Sequence, residues 1–344
     1  MASKATIKDI ARLAEVSPST VSRALRDNPR ISEEVRARVR DVAKSLDFHP
    51  NQMARSLVKR ETRIVGVLFA ESAGASASMG HPFYPAVLQG LGKVAGERRY
   101  HILLSTGSEN LSEEAAMRDM ADSGFASGLI CLTTLTNPEE DAAAIGLPMV
   151  EIGHPLDPKN SYYVDNDNVL AGDEATRYLL QRGHRRVLFL GFDGRYIMMA
   201  HRLKGFRRAM ADYGAAVRED WIVPVRMIEN MPDFTLLGEI FRKEDRPTAV
   251  VSMDDPLSVG LCGLLQTLGL AVPADVSIVS FNNTQVGQYH APALTSVDVH
   301  PRELGMHAMT LLINMIKGNV EKPTHVDVPF TLVERDSVAP PREG

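Results

Sequence analysis

The sequence predicts an α/β protein: a small all-α head followed by two doubly wound Rossmann-like subdomains. Three observations predict it. Apolar runs of strand length, "RIVGVLFA", "HILLSTG", "GLICLTT", "PMVEIG", "RRVLFLGF", "TAVVSM" and "DVSIVSFN", alternate with helical segments at 83–98, 113–122, 168–181, 202–213, 255–268 and 301–317. Continuous apolar character marks strands buried on both faces, as parallel sheets require. So many strand–helix units across residues 63–344 suit two sheets better than one. Finally, residues 1–63 hold 14 Lys and Arg against 8 Asp and Glu, a balance of +6, while the remainder holds 24 against 35, or −11. A small basic head on an acidic body points to a polyanion as partner of the head alone.

Three helices fit within residues 6–47. "TIKDIARLAE" opens with a capping box, Thr6 and Asp9, and sets Ile7, Ile10, Ala11, Leu13 and Ala14 on one apolar face. "VSPSTVSRAL" offers Ser17 as N-cap and Pro18 at the first helical position, where a missing N–H costs nothing. "ISEEVRARVRDVAKSL" has Ser32 as cap and a stripe of Val35, Val39, Val42, Ala43 and Leu46. In the second helix Val21 and Leu25 turn inward with Val16, leaving Pro18, Ser19, Ser22 and Arg23 on or near the outer face. Small side chains let a helix N-terminus sink into a major groove, where Arg23 can donate two hydrogen bonds to guanine; the plainer reading of each residue alone is a solvated short helix. "PNQMARSLVKRE" places Met53, Ala54 and Leu57 on one side of a helix too short to stand alone. It reads either as a linker with incidental apolar residues or as a hinge helix that forms on DNA, Leu57 wedging between base steps in the minor groove.

The segments "TIKDIARLAEVSPSTVSRAL", "PNQMARSL", "YVDNDNVLAG", "RGHRRVLFLG", "HRLKGFRRAM", "DVSIVSFNN", "PALTSVDVHPRELG" and "VERDSVAPP" resemble, in order, the lactose-repressor (LacI/GalR) family. "FNNTQVGQY", "YVDNDN" and "LLSTG" are most similar to its maltose-operon regulator branch. The resemblance implies an allosteric homodimeric transcription regulator with a helix-turn-helix head, a hinge helix and a core like the periplasmic sugar-binding proteins. Residues 1–49 are then the DNA-binding domain, 50–62 a hinge helix and linker, and 63–344 the effector-binding and dimerisation core. Within that core the N-subdomain takes about 63–162 and 292–322, and the C-subdomain about 163–291 and 323–340. Thr6, Lys8, Ser17, Pro18, Ser19, Ser22, Arg23 and Arg30 in the head, with Asn51, Arg55 and Leu57 in the hinge, are the implied DNA contacts. Pro18 and Ser19 replace longer hydrogen-bonding side chains of some relatives, which shifts recognition toward Arg23, the hinge and DNA shape.

For the core, the resemblance sets Phe83 and Tyr84 on the cleft, Phe83 having a second reading as plain core. It puts Arg202 at a cleft arginine, Tyr196 and Met198 on the loop before it, and one of Asp254 and Asp255 toward ligand, Asp254 being preferred. Asn282 stands where many relatives carry aspartate. Planar Arg, Asp and Asn groups can fork pairs of sugar hydroxyls while an aromatic ring stacks on the pyranose face. The expected partners are near-palindromic double-stranded operator DNA, a second copy of the chain, and a sugar, with maltose the choice. Another sugar, a nucleobase-type effector or a phosphocarrier co-regulator are the alternatives. The dimer is expected to use the 83–98 helix and the 113–122 segment, and "RDSVAPPREG" lacks the apolar heptads of a tetramerisation tail.

An enzyme is the competing class. The sequence has no G-x-G-x-x-G after a first strand, P-loop, G-x-S-x-G elbow or H-E-x-x-H, and its ten histidines lack ligand spacing. "DNDN" at 165–168 resembles the start of a calcium loop but lacks its glycine and distal glutamate. No cofactor, metal or catalytic residue is therefore expected. No apolar run reaches membrane-span length, "MASKATIKDI" lacks a signal-peptide core, and Cys131 and Cys262 sit in apolar runs as buried reduced thiols. Those features give a cytoplasmic expectation with no membrane partner.

Overall fold

The computed structural model describes residues 6–25, 27–46, 48, 62–69, 81–105, 113–132, 146–192, 196–228, 231–320 and 322–342. It forms two compact units, Met1–Glu61 and Thr62–Gly344.

In the first unit, α1 (Ile7–Leu13), α2 (Pro18–Ala24) and α3 (Glu33–Ser45) pack on a small core. The Thr6–Asp9 capping box opens α1, and the Ser17 hydroxyl accepts the Thr20 N–H at 3.1 Å to open α2. Ser32 holds the N-cap position of α3 but makes no side-chain capping bond. Ile10, Ala11, Ala14, Val21, Ala24, Val39 and Ala43 are buried, whereas Ile7 and Leu13 are 39% and 53% exposed. The expected apolar face of α1 is thus narrower than its composition: a seven-residue helix meets its neighbours along one stripe, and its flanking apolar residues stay in water.

The second unit contains two six-stranded sheets. In chain order its elements are β1 (Ile64–Leu68), α4 (Phe83–Arg98), β2 (His101–Ser105), α5 (Glu113–Asp122), β3 (Gly128–Cys131), β4 (Met149–Ile152), β5 (Tyr163–Asp165), α6 (Asn168–Gln181), β6 (Val187–Phe192) and α7 (Ile197–Asp212). There follow β7 (Ile222–Val225), β8 (Met227–Ile228), β9 (Met231–Pro232), α8 (Thr235–Phe241), β10 (Ala249–Ser252), α9 (Asp255–Thr267), β11 (Ser277–Phe281), α10 (Gln285–Tyr289), β12 (Thr295–Asp298), α11 (Pro301–Ile316), β13 (His325–Asp327) and β14 (Thr331–Val333). The first sheet runs β13-β5-β4-β3-β1-β2, all parallel, and the second β14-β12-β11-β10-β6-β7, with only β14 antiparallel. The central strands β3, β6, β10 and β11 are buried at every residue, which is why their sequences are apolar apart from Ser252, Ser277 and Ser280. Cys131 and Cys262 are both buried. No helix among the described residues is long and apolar enough to cross a membrane.

The chain passes between the sheets near 166, 299 and 328, where 162, 291 and 322 were expected. Tyr163–Asp165 pairs with β4 and β13 in the first sheet, and Thr295–Asp298 pairs with β11 and β14 in the second. Apolar runs signal a strand without saying which sheet it joins, so pairing alone moves the boundaries. Asn166 pins all three passages together: its buried side-chain amide donates to the carbonyls of Val299 at 3.1 Å and Val328 at 2.8 Å.

Helix contacts fix the cleft-facing elements. A Cβ on Gly172 would meet the Arg202 carbonyl oxygen at 2.2 Å, and one on Gly205 would meet that of Val169 at 2.0 Å. Only glycine permits the backbones of α6 and α7 to approach so closely, and that approach sets where Arg202 begins.

Candidate functional site

On the head, Thr6, Lys8, Ser17, Pro18, Ser19, Arg23 and Arg30 are exposed and Ser22 is half-buried. Several of the hydroxyls are already engaged. Ser17 Oγ pairs with Ser19 Oγ at 2.8 Å and Thr20 Oγ1 at 2.9 Å, and Thr6 Oγ1 donates to Asp9 Oδ2 at 2.7 Å. Arg36 and Arg40 are tied into ion pairs with Glu33 and Asp27 on and before α3. The surface of α2 is therefore a small-residue rise beside Arg23, a shape suited to close approach and one long donor. Asn51, Arg55, Leu57 and the expected hinge helix lie outside the described residues.

In the second unit, all seven residues expected on the cleft line one cavity of about 130 Å³. That is roughly ten times the space one ordered water takes, room for a small organic ligand. Phe83 and Tyr84 reach it from the start of α4, Tyr196, Met198 and Arg202 from the start of α7, and Asp254 and Asn282 from the ends of β10 and β11. The cavity lies beyond the carboxyl ends of strands in both sheets, where open α/β sheets hold ligands. Phe83 belongs to the cavity wall while also packing on both cores, so both readings of it hold.

Four polar lining residues were not singled out from sequence: His81, Asp165, Asn166 and Asn168. His81 sits in the "HPFYPAV" stretch read for its aromatics, and the other three in the "YVDNDN" stretch set aside as a failed calcium loop. Asn168 Nδ2 donates to both oxygens of Asp165 at 3.0 and 3.1 Å, and its Oδ1 accepts Arg202 Nε–H at 2.9 Å. Arg202 also gives Nη1–H to the Met253 carbonyl at 3.1 Å and lies 4.0 Å above the Phe281 ring. Nε and Nη1 thereby tie the guanidinium to the scaffold.

Burial lowers the Arg202 guanidinium to about 10, against the opposing pull of Asp165 and Asp254, so it stays charged at neutral pH. Burial raises the Asp165 carboxyl to about 7, although the Asn166 backbone N–H, Arg202 and Asn168 all favour its ionised form. On the aromatic wall, burial raises the Tyr84 phenol, with Tyr196 adding to it, and edge contacts at 5.5 Å to Phe69 and Phe83 hold the ring.

Of the aspartate pair, Asp254 faces the cavity and Asp255 does not. Asp255 Oδ2 accepts the Thr284 N–H at 2.5 Å and hydroxyl at 2.9 Å, and Oδ1 accepts the Ser296 hydroxyl at 2.8 Å. Asp255 thus fixes the loop after β11, where Asn282 and Asn283 take φ of 86° and 47°. Asn283 spends its amide on Asp298 at 2.8 Å, which leaves Asn282 as the cavity amide of the pair. No group of three or more His, Cys, Asp or Glu among the described residues is arranged to hold a metal ion.

A basic three-helix head and a two-sheet core with a polar cleft, carried on one chain, define a ligand-responsive DNA-binding regulator. Residues 6–51 match the model for bacterial regulatory proteins of the lacI family, and residues 176–338 match that for the periplasmic binding protein-like domain. The HTH-type transcriptional regulator MalR of Staphylococcus xylosus is 30% identical over 334 residues, covering 96% of this chain and 97% of its own. Among solved structures, the transcriptional regulator CelR–cellobiose complex superposes with a TM-score of 0.71 at 25% identity, over 97% of this chain and 99% of that one. The lac repressor dimer bound to operator and the anti-inducer ONPF shares the fold, with a TM-score of 0.78 at 21% identity over 98% and 100% of the two chains. This chain belongs to the LacI family of bacterial transcriptional regulators.

Proposed function

We propose that the chain acts as a homodimeric repressor of carbohydrate-utilisation genes, that its cleft binds a neutral sugar, and that this sugar releases it from a near-palindromic operator. Maltose or a related α-glucoside is the first candidate. The observation that carries the reading is the polar composition of the cavity: one charged arginine, Arg202, with the carboxylate of Asp254 and the amide of Asn282 on the same wall, facing the aromatic wall of Phe83 and Tyr84. Arg202, Asp254 and Asn282 belong to the second subdomain, and Phe83 and Tyr84 to the first, so a ligand that touches both walls favours one relative orientation of the two. Likeness to the CelR–cellobiose complex supports a sugar, a disaccharide among them, as the ligand class. The small-residue surface of α2 beside Arg23 supports major-groove docking of the head. Exposed Leu103 and Leu104 on the edge strand β2 support burial of that edge against a second copy.

Calorimetric titration of the full chain with maltose, cellobiose, ribose and hypoxanthine tests the effector class. The expected result is heat with an α-glucoside that disappears in Arg202→Ala. Repeating the titration with operator DNA tests the coupling. Linkage requires operator to weaken the sugar by the same factor by which the sugar weakens operator, on the order of 5–150-fold. Heat with hypoxanthine alone overturns the sugar, and equal affinities with and without operator overturn the induction.

A further inference from the structure

We propose that His81 is the positioning residue that holds the two walls of the cleft together, and through that closure sets effector affinity. It rests on the reading of the cleft as the effector site. His81 lies just before α4 on the wall formed by the first subdomain, and Asp254 just before α9 on the wall formed by the second. His81 Nε2 and Asp254 Oδ2 are 2.9 Å apart, and the two side chains are 14% and 5% exposed. This is a direct side-chain bond from one wall of the cavity to the other.

The surrounding bonds fix its chemistry. The Phe83 backbone N–H donates to His81 Nδ1 at 3.2 Å, so Nδ1 is the acceptor nitrogen and the ring proton sits on Nε2, aimed at the carboxylate. Asp254 is equally committed: its Oδ1 accepts the Leu257 N–H at 2.8 Å and caps α9. Each partner is thus anchored to its own helix start, and the bond transmits force between α4 and α9 rather than between two loose side chains. A hydrogen bond to a charged acceptor, largely removed from water, outweighs an ordinary exposed polar contact. The carboxylate retains lone pairs for a ligand hydroxyl while His81 stays bound. Closure by His81 therefore lowers what the ligand must supply for itself.

The test uses the full chain with three substitutions. In His81→Gln the side-chain amide reaches about where imidazole Nε2 stands and keeps the donor. In His81→Asn it falls short, and His81→Leu removes the donor altogether. Spin labels at exposed Lys93 on α4 and Glu239 on α8, with labelled chain diluted into unlabelled chain, report the distance between subdomains. Without ligand, the wild type and His81→Gln are expected to share one short distance, and His81→Asn and His81→Leu to move to a longer one. Maltose affinity is expected to fall about tenfold in His81→Leu and to recover in His81→Gln, as loss of one charge-assisted bond implies. Distances identical in all four chains overturn the proposal. Tighter maltose binding by His81→Leu also overturns it, because His81 would then compete with ligand for Asp254. If maltose gives no heat with the wild type, the sugar reading fails and the unliganded distances still decide the role of His81.

Discussion

Asn166 offers a sharp test of how the two sheets are joined. Its side chain is 6% exposed and its Nδ2 donates to the carbonyls of Val299 and Val328, so a single amide bonds the other two interdomain passages. Asn166→Ala deletes two neutral hydrogen bonds, each worth about 1 kcal/mol net, and leaves two carbonyls short of a donor at about 1–3 kcal/mol each where water cannot replace it. Water entering the space left by the amide relieves part of that cost. The expected loss is therefore about 2–4 kcal/mol. Asn166→Asp keeps the shape but turns acceptors toward both carbonyls, and is expected to lose at least as much at neutral pH. Urea unfolding of the full chain, followed through Trp221, reads the loss. Trp221 is the single tryptophan and is buried at the start of β7 in the second subdomain. Far-UV circular dichroism must follow the same transition before the slopes are used. An Asn166→Asp chain within about 0.5 kcal/mol of wild type refutes the claim that this amide holds the three passages.

Gly172→Ala is expected to push α6 from α7, because its Cβ would lie 2.2 Å from the Arg202 carbonyl oxygen, and to cost about 1–3 kcal/mol, read by the same unfolding experiment. A neutral substitution there would show that α7 can shift freely. Between pH 7.5 and 5 a second, proton-linked effect is expected. His154 and His201 meet edge to face, ring centroids 4.7 Å apart, between the end of β4 and α7, and both titrate below the ordinary histidine range. For His154 burial is the main cause, then His325, against Asp327; for His201 it is burial, then His154 and Lys204, against Asp167. A depressed histidine resists protons that the unfolded chain accepts, so its cost appears as pH falls through about 6.5 and levels off below the folded value. Asp165, raised to about 7, works the other way, since the folded chain gains stability as pH falls from there toward 4. Melting temperatures of wild type and His201→Gln across that range separate the two, and parallel curves would remove the histidine pair from consideration. On DNA, Arg23→Ala is expected to weaken the best site from a randomised-duplex selection by roughly 1–3 kcal/mol and to relax one base position. Uniform weakening across all sequences would assign Arg23 to phosphate instead.

The sequence by itself carried the class of protein. Helix starts are written locally, in Thr6 with Asp9, Ser17 with Pro18, and Asp254 before α9, because capping depends on residues three or four apart. Buried strands such as "VLFLGF" are legible because burial on both faces favours apolar residues at nearly every position, and "SIVSF" still reads as one although it buries Ser277 and Ser280. The seven cleft residues were reached by motif, since each stands at a strand end or helix start whose place in the fold the motif fixes. Partnership across the chain was not legible. Nothing local distinguishes Asp254, which faces the cavity, from Asp255, which is consumed by Thr284 and Ser296. Nor does local sequence tell that β5 and β13 complete the first sheet while β12 and β14 complete the second. His81 meets Asp254 across 173 positions and Asn166 meets Val328 across 162, and such contacts exist only once both sheets have formed. Their worth depends on removal from water and on the orientation of the partner, and both are properties of tertiary packing.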